Sequence, residues 1–213
     1  HLNDTGGFQV INVSANALPA HLAHGDGQPN GDVPGTNNQV FGASCQVIQL
    51  QQYTLTLVSG AGGGTGSLDS TISYAKASGG TGTAIILDTH PAYQSLPGAR
   101  WVSFATVSEY VWGQGWRTFG APHVNDDITY SRGFTLPAGA RGVSLTGAFL
   151  ADNSGKGFLN GAPIGGTADF STAASINATS GFVTGANTLS FTVQDWGGVS
   201  GLTFSATITY YAQ

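Results

Sequence analysis

Hydrophobic and polar residues alternate with a period of two along much of the chain, which is typical of half-buried β-strands. Near the end of the chain, one face carries Leu202, Phe204, Ala206, Ile208 and Tyr210, and Ser or Thr residues separate them. Further alternating strands are predicted around residues 53–57, 128–136, 143–149 and 189–193, with a central apolar strand at 85–87. Turn residues separate these runs, so the pattern predicts an all-β sandwich or barrel.

Residues 1–44 have a different pattern. A strand is expected from Phe8 to Val13, with Phe8, Val10, Ile11 and Val13 as its apolar residues. The Gly- and Pro-rich stretch that follows, up to Gly35, predicts an irregular connection. We therefore expect an extended N-terminal arm over residues 1–44 and a β-sandwich domain over residues 45–213.

The composition of the chain excludes some classes of binding partner. Charged residues make up 8% of the chain, and the net charge is −5 with six Lys and Arg in total. These are scattered, so no basic patch is available to bind a nucleic acid. No stretch approaches the roughly 20 apolar residues of a membrane span. The single cysteine, Cys45, excludes an internal disulfide.

The expected location is extracellular. The chain begins at His1 and contains no Met. Removal of a secretory signal is the simplest explanation, and a trimmed boundary is the alternative. Few charges and many hydroxyl groups also suit a secreted or cell-surface protein, or a subunit largely covered by its neighbours.

Motifs in the second half of the chain resemble a known domain. From Phe134 the sequence reads FTLPAGARGVSLTGAFLADNSGKGFLNG, and further on GFVTGANTLSFTVQDWGGVSGLTFSATI. These motifs resemble a galactose-binding-like jelly-roll domain of secreted bacterial proteins, over about residues 45–213. The resemblance implies a jelly-roll-like β-sandwich. It implies no single function, because this sandwich carries sugar binding, adhesion and structural roles.

A second resemblance concerns residues 13–26, VSANALPAHLAHGD. They resemble a short HLAHGD-type element of bacterial secreted proteins, which a Cys–His pair often precedes. Here His1 opens the chain and no Cys precedes it, so no disulfide or thiolate role carries over.

The same segment is a candidate metal site, because His21, His24 and Asp26 offer two imidazoles and a carboxylate within six residues. His1 could add a ring and an α-amine. A pair of histidines three residues apart converges on a helical turn, but Pro19 and Gly25 are expected to leave little room for one. Oxidative polysaccharide cleavage at an N-terminal His is a further alternative that the jelly-roll motifs disfavour.

No cofactor is expected with certainty, although a structural Ca²⁺ is one hypothesis for the loop oxygens. Galactose-binding-like folds often hold such an ion, which needs six to eight oxygen ligands. The candidate carboxylates are those of the pairs Asp126-Asp127 and Asp152-Asn153, and of Asp195. The alternative is that these residues serve turn geometry alone.

The segment YVWGQGWRTFG is the candidate carbohydrate-binding site, and we expect it to be a loop between two strands. Sugars stack on aromatic rings, and amide or guanidinium groups fix their hydroxyls. The residues that could supply this set are Tyr110, Trp112, Gln114, Trp116 and Arg117. The alternative is that these rings fill the core or a subunit contact, as most Trp residues do.

Enzymatic chemistry is poorly supported. Glu109 is the only glutamate, which removes a paired-Glu glycosidase site, and no Ser lies in a G-x-S-x-G turn. We therefore expect a non-enzymatic carbohydrate-binding or adhesive module, with a glycan as its partner. The alternative is a structural subunit of an extracellular filament or matrix, which would bind copies of itself by adding the strand at Phe8–Val13 to the sheet edge of a neighbour.

Overall fold

The computed structural model describes residues 1, 7–120, 125–196 and 199–213. In this part of the chain, strands dominate and a short helix precedes them. The helix α1 is Leu18–Ala23, and the strands in chain order are β1 Gln39–Phe41, β2 Val47–Gln49, β3 Gln51–Val58, β4 Leu68–Lys76, β5 Thr81–Ile86, β6 Val102–Ser103, β7 Thr106–Val111, β8 Gly115–Gly120, β9 Asp126–Leu136, β10 Arg141–Asp152, β11 Ser154–Leu159, β12 Ala162–Ala168, β13 Ala174–Ala178, β14 Gly185–Asp195 and β15 Gly201–Ala212.

Eleven strands form one large sheet in the order β12-β11-β14-β9-β4-β5-β6-β15-β10-β13, and β3 also pairs with β15. The ring of Phe191 on β14 contacts Phe204 on β15 and Phe149 on β10, with centroids 4.8 and 5.0 Å apart. Since β14 lies far from β15 and β10 in the sheet order, the sheet must fold over into two packed layers. The predicted all-β, jelly-roll-like sandwich is therefore confirmed.

Alternation along β14 and β15 predicts their buried faces correctly. Leu189, Phe191 and Val193 are buried, and so are the apolar residues at even positions of β15 from Leu202 to Tyr210. The short apolar run at 85–87 is also confirmed as central, because β5 lies between β4 and β6 and Ile86 is fully buried.

The sequence pattern did not predict β4, and its burial explains why. Leu68 is exposed while its neighbour Asp69 is fully buried, which inverts the usual alternation. The Asp69 carboxylate accepts hydrogen bonds from the backbone N–H groups of Gly60 and Thr71, which satisfies the buried charge. The register between β4 and β5 also shifts between Leu68 and Ser73.

The two end strands of the large sheet, β12 and β13, lie against each other. Gly165 of β12 comes so close to the backbone of β13 that a Cβ atom there would overlap the carbonyl oxygen of Ser175. Glycine is also required at this position because its φ is +90°.

The chain divides into two compact units. One comprises residues 1–53, 139–142 and 210–213, and the other comprises 54–138 and 143–209. The first contains α1 and the β1–β2 hairpin, and its buried apolar residues include Val33, Val40 and Phe41. The second contains most of the large sheet and the β7–β8 hairpin.

The strand expected from Phe8 to Val13 is not formed in the described single chain. Phe8 makes an isolated bridge, and residues 9–13 have no regular secondary structure. A strand needs a neighbour for its backbone groups, and among these residues Gln9 exchanges hydrogen bonds with His1 over 2.8 and 2.9 Å.

The helix of the described chain has six residues, which is too short to cross a membrane.

Candidate functional site

The aromatic segment forms a β-hairpin, where the sequence pattern predicted a loop. β7 and β8 pair antiparallel, and residues 112–114 turn the chain between them. The N–H of Gln114 donates to the carbonyl of Val111 over 2.9 Å, which closes a four-residue turn. Gly113 has φ of +81°, which this kind of turn requires at its third position. The glycines therefore shape the turn.

The outer face of the hairpin carries exposed aromatic rings. Tyr110 and Trp116 are direct cross-strand partners, and their rings meet edge to face with centroids 5.8 Å apart. They are 61% and 74% exposed, and Trp112 in the turn is 92% exposed. Ser108 and Thr118, the next pair on the same face, place two hydroxyl groups beside the rings. We define Ser108, Tyr110, Trp112, Trp116 and Thr118 as the aromatic face.

Arg117 does not belong to the aromatic face, because successive residues of a strand point to opposite sides. It pairs across the hairpin with Glu109, and its guanidinium lies 3.7 Å from the carboxylate of Asp88. Phe119, on the same side as Arg117, is buried. Of the expected sugar-contacting set, the structure therefore brings together Tyr110, Trp112 and Trp116, with Gln114 exposed in the turn.

A second cluster lies at α1, where Pro19 and Gly25 are expected to leave little room for a helical turn. That expectation was wrong, because Pro19 stands at the start of the helix, where its missing N–H costs nothing. The C-terminal end is a Schellman motif. The N–H of Gly25 donates to the carbonyl of Leu22, and the N–H of Asp26 donates to the carbonyl of His21, each with a donor–acceptor distance of 3.1 Å. Gly25 has φ of +87°, as this motif requires.

The Schellman turn brings Asp26 back beneath His21. The Asp26 Oδ2 atom lies 2.7 Å from Nδ1 of His21 and 2.9 Å from Nδ1 of His1. Within the described residues, one group of at least three His, Cys, Asp or Glu side chains has converging ligand atoms: His1, His21 and Asp26, all within 4.8 Å of one another. We call this group the His-Asp-His cluster. The expected set is thus corrected, because His24 caps the helix and lies outside it.

A cavity of about 280 Å³ adjoins the His-Asp-His cluster, within the first unit. Its lining includes residues 8–13 and the apolar side chains of Leu18, Leu22 and Phe41. Phe8 packs on Phe41 with centroids 5.0 Å apart, while Val10, Ile11 and Val13 of the expected assembly strand are exposed.

The carboxylates considered for calcium do not form a comparable cluster in the described chain. The Ser78 hydroxyl donates to Asp126, and this hydrogen bond lowers the pKa of Asp126.

The Tyr93 hydroxyl donates a hydrogen bond to the buried carboxyl group of Asp152. Burial, with the negative charges of Asp195 and Asp169, raises the pKa of Asp152 to about 6, although the Tyr93 bond opposes this. Burial and the Asp152 bond in turn raise the pKa of Tyr93.

Sequence reasoning missed the contribution of Ser108 and Thr118 to the aromatic face and the contact between His1 and Asp26. The alternation within 106–111 and 115–120 gave a signal for the first, but the turn glycines masked it. The second joins residues 25 positions apart, and no local pattern encodes it.

No protein-family model matches the chain, and no curated protein matches it. Among solved structures, the chain is similar to the crystal structure of the CBM36-1 domain of a multidomain xylanase from the hindgut metagenome of Trinervitermes trinervoides. The two are 14% identical, and the similarity covers 59% of this chain and 95% of that domain, with a TM-score of 0.27.

Proposed function

We propose that the protein is a non-enzymatic, extracellular carbohydrate-binding module and that the aromatic face is its binding surface. The observation that carries the proposal is the exposure of Tyr110, Trp112 and Trp116 on one hairpin. Aromatic rings of this size are usually largely buried. Several such rings exposed on one surface often mark a binding site, whereas a single exposed hydrophobic side chain is normal.

The chemistry of the aromatic face suits a neutral sugar. The flat apolar faces of Trp and Tyr can stack on the C–H face of a pyranose ring, and their polar edges tolerate water. The hydroxyls of Ser108 and Thr118 and the amide of Gln114 can exchange hydrogen bonds with sugar hydroxyls. Charged Arg117 and Glu109 project from the opposite side of the hairpin. An uncharged glycan therefore fits this surface better than an ionic ligand.

The hairpin also holds the backbone that carries the rings in place. Six cross-strand residue pairs connect β7 and β8, and Gly113 and Gly115 both have the positive φ that the reversal needs. On the inner side, buried Phe119 anchors the hairpin in the second unit. A backbone that is ordered before binding loses little conformational entropy when a sugar stacks on the rings that it carries.

The test is retention on a panel of soluble and insoluble polysaccharides in affinity electrophoresis and pull-down assays. We expect the wild-type protein to be retained by at least one of them. Trp112→Ala and Trp116→Ala should abolish that retention and leave the melting temperature nearly unchanged, because both side chains are exposed.

The matched control is Trp196→Ala, since Trp196 is an exposed tryptophan outside the hairpin. It should retain wild-type binding. If Trp196→Ala loses as much binding as Trp116→Ala, or if both hairpin variants bind normally, the aromatic face is not the sugar-binding surface.

A second candidate function is that of a structural subunit assembled through the N-terminal segment. The observation favouring it is that Val10, Ile11 and Val13 are exposed although they are apolar. In an assembly, this segment could form a strand on the sheet edge of a neighbouring copy. Light scattering and negative-stain electron microscopy should then show assemblies that deletion of residues 1–20 converts to monomers. A wild-type monomer of 21.7 kDa, or an assembly that survives the deletion, would contradict this candidate.

A further inference from the structure

The geometry of the first unit points to a metal site. We infer that His1, His21 and Asp26 bind a divalent transition-metal ion of the zinc type, through Nδ1 of each imidazole and Oδ2 of the carboxylate. This site is separate from the aromatic face and does not depend on the proposed sugar binding.

The carboxylate oxygen of Asp26 already has nearly the right spacing to both imidazole nitrogens, and the three ligand atoms lie within 4.8 Å of one another. In a tetrahedral zinc site with metal–ligand distances of about 2.0–2.1 Å, neighbouring ligand atoms are about 3.3 Å apart. Here Asp26 Oδ2 lies 2.9 Å from His1 Nδ1 and 2.7 Å from His21 Nδ1. A withdrawal of Oδ2 by about half an ångström, with the two Nδ1 atoms brought to a similar separation from each other, would replace the two hydrogen bonds with coordination bonds to one ion.

The Nδ1 atoms of the two histidines face the carboxylate and are available to coordinate an ion. Both histidines approach Asp26 with Nδ1, so a neutral imidazole can move its proton to Nε2 and present the Nδ1 lone pair. The rings lie nearly perpendicular, at 82°, with centroids 5.8 Å apart. They can therefore donate to one ion from two directions without colliding.

Burial favours an ion at this position. The Asp26 side chain is 5% exposed, whereas those of His1 and His21 are 42% and 29% exposed. A carboxylate shielded from water is stabilised by a cation bound directly to it. Because the histidines lie at the solvent side, a water molecule or a ligand in the adjoining cavity can take a fourth position.

Two of the three ligands are fixed by the backbone. The Schellman hydrogen bond from the N–H of Asp26 to the carbonyl of His21 sets their separation. His1 is held by its paired hydrogen bonds with Gln9. An ion at the His-Asp-His cluster would therefore connect residue 1 to the end of α1, and it would stabilise the folded arm by mass action.

The donor set selects the class of ion. Two imidazole nitrogens and one carboxylate oxygen suit Zn²⁺, Cu²⁺, Ni²⁺ or Fe²⁺. Ca²⁺ and Mg²⁺ require oxygen ligands almost throughout. Zn²⁺ is the probe of choice because it has no redox chemistry and accepts tetrahedral geometry.

The experiment uses protein without a histidine tag, freed of metal by a chelator and titrated with ZnSO₄ in a calorimeter. We expect one Zn²⁺ per chain. His1→Ala, His21→Ala and Asp26→Asn should each weaken binding by more than about 100-fold, since even residues that merely orient a ligand are worth about 10–100-fold. His24→Ala is the matched control, because it removes a neighbouring exposed imidazole outside the cluster. It should bind within about twofold of wild type.

A second measurement does not depend on the folding of variants. In the wild-type protein, ¹⁵N spectra of the imidazoles should show Zn²⁺ shifting the Nδ1 resonances of His1 and His21 and leaving those of His24 in place. The inference is overturned if Zn²⁺ does not bind stoichiometrically, if His24→Ala loses as much affinity as His21→Ala, or if Ca²⁺ displaces Zn²⁺.

Discussion

Two pairs of aromatic residues in the second unit have opposite environments. Phe191 and Phe204 lie on neighbouring layers of the sandwich and stack at 4.8 Å with almost no exposure. Tyr110 and Trp116 lie opposite each other on the β7–β8 hairpin, and both face solvent. All four occupy alternating strand positions. Alternation therefore predicts that a residue lies on a strand, but the layer opposite that strand decides whether its ring becomes core or surface.

The largest expected effect comes from the buried pair. Phe191→Ala removes a ring that packs between Phe149 and Phe204, so it should lower the free energy of unfolding by about 3–5 kcal/mol. Urea unfolding followed by tryptophan fluorescence measures it. A loss below about 1 kcal/mol would contradict the placement of Phe191 between the layers.

The next effect concerns pH and the buried carboxyl of Asp152. Its pKa is about 6 in the folded protein and 3.8 as a free side chain, so the folded state holds this proton more tightly. The contribution of Asp152 to the free energy of unfolding should therefore fall by about 2–3 kcal/mol as the pH rises from about 4 to about 7. Urea unfolding at several pH values measures this slope.

Asp152→Asn should flatten the pH dependence, because the amide does not ionise. Asp126→Asn is the control: hydrogen bonds from Ser78 lower the pKa of Asp126, so it stays ionised over the same range. If both variants keep the wild-type slope, Asp152 does not carry the effect.

A smaller effect is expected where the hairpin joins the core. A Cβ atom on Gly120, at the end of β8, would overlap the backbone carbonyl of Ser200, and backbone cannot move aside as a flexible side chain can. Gly120→Ala should therefore lower the free energy of unfolding by about 1–3 kcal/mol. Gly64→Ala is a suitable comparison, since Gly64 has open space around it. Equal melting temperatures for both variants would show that Gly120 is not confined.

The smallest stability effect is expected on the aromatic face. Trp116→Ala should change the free energy of unfolding by no more than about 0.5 kcal/mol, because the ring is mostly exposed. Thermal unfolding by circular dichroism measures it. A loss comparable to that of Phe191→Ala would make Trp116 a core residue and remove the contrast between the two pairs.

Local patterns predict most of the sandwich and less of its candidate sites. Strands such as β14 and β15 follow simple alternation, whereas β4 was missed because Asp69 is buried on its inner face. Pro19 and Gly25 are residues that usually interrupt helices, yet Pro19 stands at the start of α1 and Gly25 directly follows its C-cap, His24. The pairing of His1 with Asp26 depends on tertiary folding, so no sequence window contains it.

The contact between β12 and β13, the two end strands of the large sheet, affects how the sheet edges are exposed to other chains. Exposed sheet edges invite other chains to add to them, and proteins often protect such edges with lysine and other charges. With only 8% charged residues, this chain has few to spare. Gly165, which lets β12 lie directly on β13, allows two edges to shield each other by shape alone. At these two strands, close contact between the backbones therefore takes the place that charged side chains have at many other sheet edges.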